Sequence, residues 1–242
     1  MSIKRMYGDF KNSHENGFGK EYYKCGKLMY EGKFKDGYYS GSGKEFYKSG
    51  EIIYVGEFNN GKRNGKGIYY YENSKIMYDG EFKDDKRNGN GYYYRKNGTL
   101  MYIGKFKEGD FNGYGNIYNR HGILMYEGEF NNNKFNGNGK SYDEDGKLMY
   151  NGEWKDNEFN GNGKYYNEDG TIKYEGEFIN DKYITPKIKD DDLCLICMIE
   201  KKSMAFIPCG HLSTCEGCSI KYKDDKCIVC RKEFSISYKI FF

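Results

Sequence analysis

The chain has 242 residues, with 39 Lys and Arg against 36 Asp and Glu, a formal charge of +3 and a mean hydropathy of −0.96. That length accommodates one repeat array and one small domain. The hydropathy excludes a membrane-spanning helix, and the near balance of charge gives no support to a nucleic-acid-binding surface.

The first residues, Met1 to Gly8, lack the apolar core of a signal peptide, so a cytoplasmic location is expected, that of a host cell if the source is viral. From Met6 the sequence then repeats with an unbroken period of 24, giving seven whole units and an eighth that is expected to stop after its first strand. Each unit carries a Tyr-x-Gly-x-Phe core, as in Tyr126, Gly128 and Phe130, and a later Gly-x-Gly, as in Gly161 and Gly163. Tyr126, Gly128 and Phe130 are spaced by two and share one face of a strand, while Glu127 and Glu129 point to the other. A glycine between two aromatics leaves room for a neighbouring ring to lie over the backbone. Turn signals such as Asp145-Gly146 and Asp169-Gly170 reverse the chain, so each unit reads as one β-hairpin, stacked on the next in an elongated sheet of ~70 Å.

This pattern resembles MORN repeats over residues 6–183, in units one residue longer than usual; the Gly-Lys-Leu-Met-Tyr stretch is similar also to bacterial repeat antitoxins. The MORN resemblance implies scaffolding, self-association or phospholipid binding. Basic and acidic side chains of the repeats cancel to within one charge, which favours a protein partner over a membrane surface. Cys25, His14 and His121 occupy variable repeat positions and carry no assigned role.

Residues 184–192 read as a short charged linker. Beyond it, residues 193–242 hold eight metal-ligand residues in order: Cys194, Cys197, Cys209, His211, Cys215, Cys218, Cys227 and Cys230. They form three Cys-x-x-Cys knuckles and one Cys-x-His knuckle. A tetrahedral zinc takes two such pairs, so two closed structural Zn2+ sites are expected, with no open position for catalysis. A disulfide framework would need an oxidising compartment, and a redox dithiol normally stands alone. Two zinc ions and seven thiolates would bring the formal charge from +3 to zero.

The ligand order, with Leu193-Cys194-Leu195-Ile196-Cys197-Met198 and Pro208-Cys209-Gly210-His211, resembles RING fingers, in particular those of inhibitor-of-apoptosis proteins and similar dimeric ubiquitin ligases. Spacing alone leaves two sequential sites open. The resemblance implies a cross-brace instead, in which Cys194, Cys197, Cys215 and Cys218 hold one zinc and Cys209, His211, Cys227 and Cys230 the other. It also implies a ubiquitin-conjugating enzyme and ubiquitin as partners, a RING homodimer, and a brief helix before the first ligand that Asp190 to Asp192 could cap.

Three further positions take roles from the resemblance: Ile196 contacts the conjugating enzyme, Arg231 bridges enzyme and ubiquitin, and Phe241 contacts ubiquitin from a C-terminal strand. Phe234, Ile236, Tyr238 and Ile240 alternate with polar residues, as such a strand requires. Many active RINGs have proline after the seventh ligand, where this chain has Ile228.

The expected architecture is therefore mainly β, a single-sheet hairpin array followed by a small two-zinc cross-brace domain. The expected function is that of a RING-type ubiquitin ligase with no catalytic residue of its own, whose repeats recruit an unknown protein substrate or act as a scaffold. The alternative is a non-enzymatic zinc-containing assembly protein.

Overall fold

Two kinds of turn alternate along the repeats and decide their architecture. In a computed structural model, the described residues are 7–11, 14–183, 193–195, 200, 202–207, 212–221, 226, 228–231, 233 and 236–239. The first turn type has two residues, both at positive φ, as at Asn60-Gly61, Asp84-Asp85 and Asn132-Asn133. That is the type I′ geometry, whose twist matches antiparallel strands. The second spans residues such as 47–51, where Gly50 donates to the Tyr47 carbonyl (3.0 Å) and Tyr47 donates to that of Glu51 (2.8 Å).

These turns join sixteen antiparallel strands, β1 (Tyr7–Lys11) to β16 (Lys182–Tyr183), into one sheet in which spatial order equals chain order. The eighth unit goes beyond the expected single strand. After β15 (Ile172–Ile179) a two-residue β16 pairs through Phe178–Tyr183 and Ile179–Lys182. The chain divides into two compact units, residues 1–184 and 185–242.

The core lies on one face of the sheet and consists of rings. Tyr30, Tyr54, Tyr78, Tyr102, Tyr126 and Tyr150 are at most 1% exposed. Each meets the Phe or Trp four residues on edge-to-face, and again that of the next unit, as with Tyr102 to Phe106 at 5.2 Å and to Phe130 at 5.3 Å. Edge-to-face rings at this spacing contribute about 0.5–1.5 kcal/mol beyond their area. Because every unit packs on the next, the array is one continuous core.

The ring that crosses the glycines belongs to the unit's own tyrosine, not to a neighbour as the sequence suggested. Gly104 on β9 (Leu100–Lys107) pairs with Gly115 on β10 (Asp110–Tyr118). Tyr102 covers both, since a Cβ at Gly104 would stand 2.5 Å from its hydroxyl oxygen. Its hydroxyl donates to the Lys105 carbonyl (2.9 Å), so the buried phenol is satisfied.

The first glycine of each Asn-Gly-x-Gly has a separate task. Gly137 is at φ +76° beside a break in register, as bulges require. Across it the Glu129 carboxylate accepts the Asn138 N–H (3.1 Å). Glu57, Glu81 and Glu153 make the same bond to Lys66, Asn90 and Asn162.

Burial of these phenols sets an alkaline limit. Burial first, then the Glu153 charge, pushes Tyr150 up from 10.0 to about 12, and the buried Tyr30, Tyr54, Tyr78, Tyr102 and Tyr126 are raised mainly by burial. The neutral form is favoured in the folded state. Its stabilisation is therefore complete below the ordinary value near 10 and is lost as pH rises toward 12. Sheet circular dichroism should hold to about pH 10 and collapse by about 12, together with the appearance of tyrosinate absorbance. Ionisation of these tyrosines at ordinary pKa with the sheet intact would contradict this.

Candidate metal centre

The second unit builds its site by bringing two distant knuckles together through backbone bonds. The Leu195 N–H donates to the Ser213 carbonyl (2.9 Å), the Ser203 N–H to Thr214 (2.8 Å), and the Cys194 N–H to Glu200 (2.8 Å). Strand β17 (Met204–Ile207) lies between β18 (Leu212–Thr214) and β19 (Ile236–Lys239), and so carries the first knuckle's following segment alongside the third. β19 falls within the stretch where the alternation predicted a C-terminal strand.

Cys215 directly precedes helix α1 (Glu216–Lys221), and Cys218 lies in its first turn. The Ser219 N–H donates to the Cys215 carbonyl (2.9 Å), which holds the turn. A separation of three residues places both thiols on one side of such a turn. The Sγ atoms of Cys194, Cys215 and Cys218 lie within 4.8 Å of one another.

These three belong to the set that a cross-brace requires: first knuckle with third, passing over the second. The donor chemistry fits zinc, for which a tetrahedron with Zn–S of about 2.3 Å puts sulfurs ~3.8 Å apart. Cys194 and Cys215 are buried and Cys218 is half-buried, as in a closed structural site. A hydrogen bond to Glu200 and then burial raise the Cys215 thiol in the metal-free chain. A bound cation reverses that preference, because metal ligation takes the thiolate.

The other expected site residues divide between the described and the rest. Cys197, Cys209, His211 and Cys227, with Ile196 and Phe241, lie outside the described residues, as do Asp190 to Asp192. Cys230 is half-buried and stands apart from the three-sulfur group. Arg231 is exposed, immediately after a turn over residues 228–230, and its φ is +58°. A non-glycine residue in that conformation costs about 1–2 kcal/mol, a feature that nothing in the sequence foretold. Ile228 is half-buried. Among the described residues no helix is long and apolar enough to cross a membrane.

Comparison with known families agrees with both units. Residues 190–236 match the family described as zinc finger, C3HC4 type (RING finger). Residues 7–24, 30–52, 54–75, 78–100, 126–147, 150–172 and 174–183 match the MORN repeat. The unmatched stretch 101–125 keeps the same Gly104–Gly115 register, so the array is structurally uninterrupted there.

Among curated proteins, the chain is 39% identical over 57 residues to an apoptosis inhibitor IAP of Cydia pomonella granulosis virus, covering 24% of this chain and 20% of that protein. It is 38% identical over 55 residues to the E3 ubiquitin-protein ligase XIAP of Rattus norvegicus, covering 23% and 11%. With the E3 ubiquitin-protein ligase cblA of Dictyostelium discoideum it shares 44% over 50 residues, covering 21% and 7%. The chain thus spans a fifth or less of these relatives' lengths.

Proposed function

The chain belongs to the MORN-repeat proteins and ends in a RING-type zinc finger, and we propose that it is a RING-type ubiquitin ligase whose repeats recruit a protein substrate. The observation that carries this reading is the three-sulfur group of Cys194, Cys215 and Cys218, which the ligand order of a cross-brace requires. In the proposed pairing, Cys197 completes that site, while Cys209, His211, Cys227 and Cys230 hold a second zinc. Zinc supplies folding energy and shape, not a reacting group.

Catalysis in this reading comes from holding a ubiquitin-charged conjugating enzyme in a reactive arrangement. Positioning of this kind can supply several kcal/mol of a barrier without a nucleophile of the ligase's own. Ile196 provides the apolar contact to the enzyme, and Arg231 bridges enzyme and ubiquitin with its fixed fork of donors. The exposure of Arg231, directly after the turn over residues 228–230, supports this role. Phe241 reaches ubiquitin across a RING dimer.

The test is ubiquitin discharge from a panel of charged conjugating enzymes. Arg231→Ala should retain zinc and the dimer and slow discharge at least tenfold. Deleting Phe241 and Phe242 should also suppress it, and mixing that deletion with an Ile196→Ala chain should recover part, since one subunit keeps the enzyme-binding knuckle and the other the tail. Silence of the unaltered chain across the whole panel would leave the scaffold reading. Full activity of the tail deletion would remove the dimer from the proposal.

A further inference from the structure

Two repeat positions break a pairing rule, and one of them, Arg87, stands between units that keep it. From the second unit on, at the start of each unit's second strand stand Tyr39, Arg63, Arg87, Phe111, Phe135, Phe159 and Tyr183, spaced by 24. Eighteen residues before them stand Glu21, Glu45, Tyr69, Tyr93, Ile117, Ser141 and Tyr165. Where the first series offers a polar donor early in the array, the second offers a carboxylate. The Tyr39 hydroxyl donates to Glu21 Oε2 at 2.7 Å, and Arg63 Nε donates to Glu45 Oε2 at 2.7 Å. Where the first series is phenylalanine, the second has no acid. Eighteen residues before Arg87 stands Tyr69, and before Tyr183 stands Tyr165, so at both the donor persists and the acid is gone.

The packing around Arg87 follows from that loss. Most residues of the first series stack on the core tyrosine of the unit's other strand, as Phe111 does on Tyr102 at 3.8 Å and Phe135 on Tyr126 at 3.8 Å. Arg63 keeps the place as a cation, 5.3 Å from the Tyr54 ring, and also lies 4.8 Å over Tyr69. Arg87 lies over the equivalent ring, Tyr93 (4.8 Å), but its second ring is Phe106 (5.4 Å) and it donates to the Gly109 carbonyl (2.6 Å). Among the described residues no ring stacks on Tyr78, which meets Phe82 and Phe106 edge-to-face.

Between Arg63 and Arg87 opens a cavity of about 430 Å³, walled by Tyr69, Met77, Tyr78, Phe82 and Tyr93. Of its other charged groups, Arg63 pairs with Glu45, and Asp85 keeps its negative charge. Asp85 accepts the Arg63 N–H (2.9 Å), and Lys86 pairs with Glu108 (2.7 Å). Arg87 has no carboxylate partner among the described residues.

We propose that this cavity is a binding site for an acidic side chain of a partner protein, with the carboxylate on Arg87 and adjoining apolar groups against the aromatic walls. The Glu45–Arg63 pair one unit earlier is the template for it, since an external carboxylate would take the place that Glu45 fills from within. A half-buried guanidinium flanked by rings binds a carboxylate better than an exposed one, because solvent screens it less. The inference rests on the reading that the repeats recruit protein, and it supplies the chemistry of that recruitment.

The probe is an acetylated, amidated tripeptide with glutamate between two phenylalanines, and its glutamine counterpart, titrated into the zinc-loaded full chain while arginine Nε–H signals are followed by NMR. The glutamate peptide should shift Arg87 and bind at least tenfold more tightly than the glutamine peptide. Arg87→Gln should abolish that preference while the sheet stays folded by circular dichroism, with a melting midpoint lowered only by the loss of the Gly109 bond and the two ring contacts. Tyr69→Glu, which reinstates the pairing rule, should close the site from within, and Tyr69→Gln should not. Equal binding of the two peptides, or retention of the preference in Arg87→Gln, overturns the proposal. So does an Arg87 response confined to inorganic phosphate or to phosphatidylserine vesicles. Ubiquitin discharge in the same preparation separates the two readings, because loss of peptide binding with normal discharge removes only this site.

Discussion

Chelation of zinc at neutral pH is expected to unfold the C-terminal unit and leave the repeats standing. That unit is too small to offset its chain entropy with apolar burial alone, and structural zinc contributes on the order of 10 kcal/mol of folding energy. Its few described backbone bonds converge on the metal group: Leu195 to Ser213 and Ser203 to Thr214 tie the Cys194 segment to the residues before Cys215. Without the cation, the thiols of Cys194, Cys215 and Cys218 lose the shared partner that holds them together. The array has its own continuous core and the chain's single tryptophan, Trp154, which is 6% exposed. Metal analysis should return two zincs per chain, of which one is the three-sulfur site. Chelation should erase exchange protection at Leu195 and Ser203 while Trp154 fluorescence stays native. Persistent protection at those amides after metal loss, or a single zinc in intact protein, would end the two-site description.

Gly104→Val should produce the opposite pattern, a damaged array beside an intact zinc unit. A Cβ at this position would stand 2.5 Å from the Gly115 Cα, 2.5 Å from the Tyr102 hydroxyl oxygen and 2.7 Å from the Tyr114 carbonyl oxygen. Two of those three atoms are backbone of the paired strand, so no rotamer change relieves them. Either β9 and β10 separate or Tyr102 leaves its place, and in the second case its hydroxyl loses the Lys105 carbonyl. The cost should reach about 3 kcal/mol, the upper end of ordinary overpacking. Gly122→Ala is the control. It lies at a turn with φ +84° and nothing within 4 Å of a new Cβ, so only the left-handed backbone penalty of about 1 kcal/mol applies. Urea midpoints read from Trp154 fluorescence should separate the two variants clearly. Coincident midpoints would mean that the glycine pair is not a steric requirement.

Why some of this was readable in the amino acids and some was not has a physical basis. Tyr102, Gly104 and Phe106 share a face by period two, which any strand imposes, so the hairpin array and its aromatic core followed directly. Turns built on Asp84-Asp85 or Asn132-Asn133 gave weaker notice, since neither pair contains the glycine that usually marks type I′. Their second residue matters most. Asn133 and Asn157 accept the backbone N–H groups of Phe111 and Phe135, each at 2.8 Å, one unit away. A bond of that kind depends on which turn stacks on which, and no local pattern states it.

The role of Glu129 was missed for a similar reason, because the N–H it accepts is exposed only by the bulge at Gly137. At the metal, the ligand types and their order were plain, but order is equally compatible with sequential sites. Only the approach of Cys194 to Cys215 and Cys218 favours interleaving.

A sheet whose spatial order equals its chain order has a consequence for biosynthesis. Every strand from β1 to β15 finds its next partner in the segment synthesised directly after it. Loop closure therefore stays short however long the array grows, and hairpins can add one at a time to a template already in place. The growing chain can bury Tyr30 against Phe34 and Phe58 before the codons for Tyr150 are read. The zinc unit is different: Cys194 must wait until Cys215 and Cys218 have been made, and then for an ion. A nascent molecule therefore holds a finished array before its C-terminal unit can fold, so in the proposed ligase the surface that meets substrate would mature before the surface that meets ubiquitin.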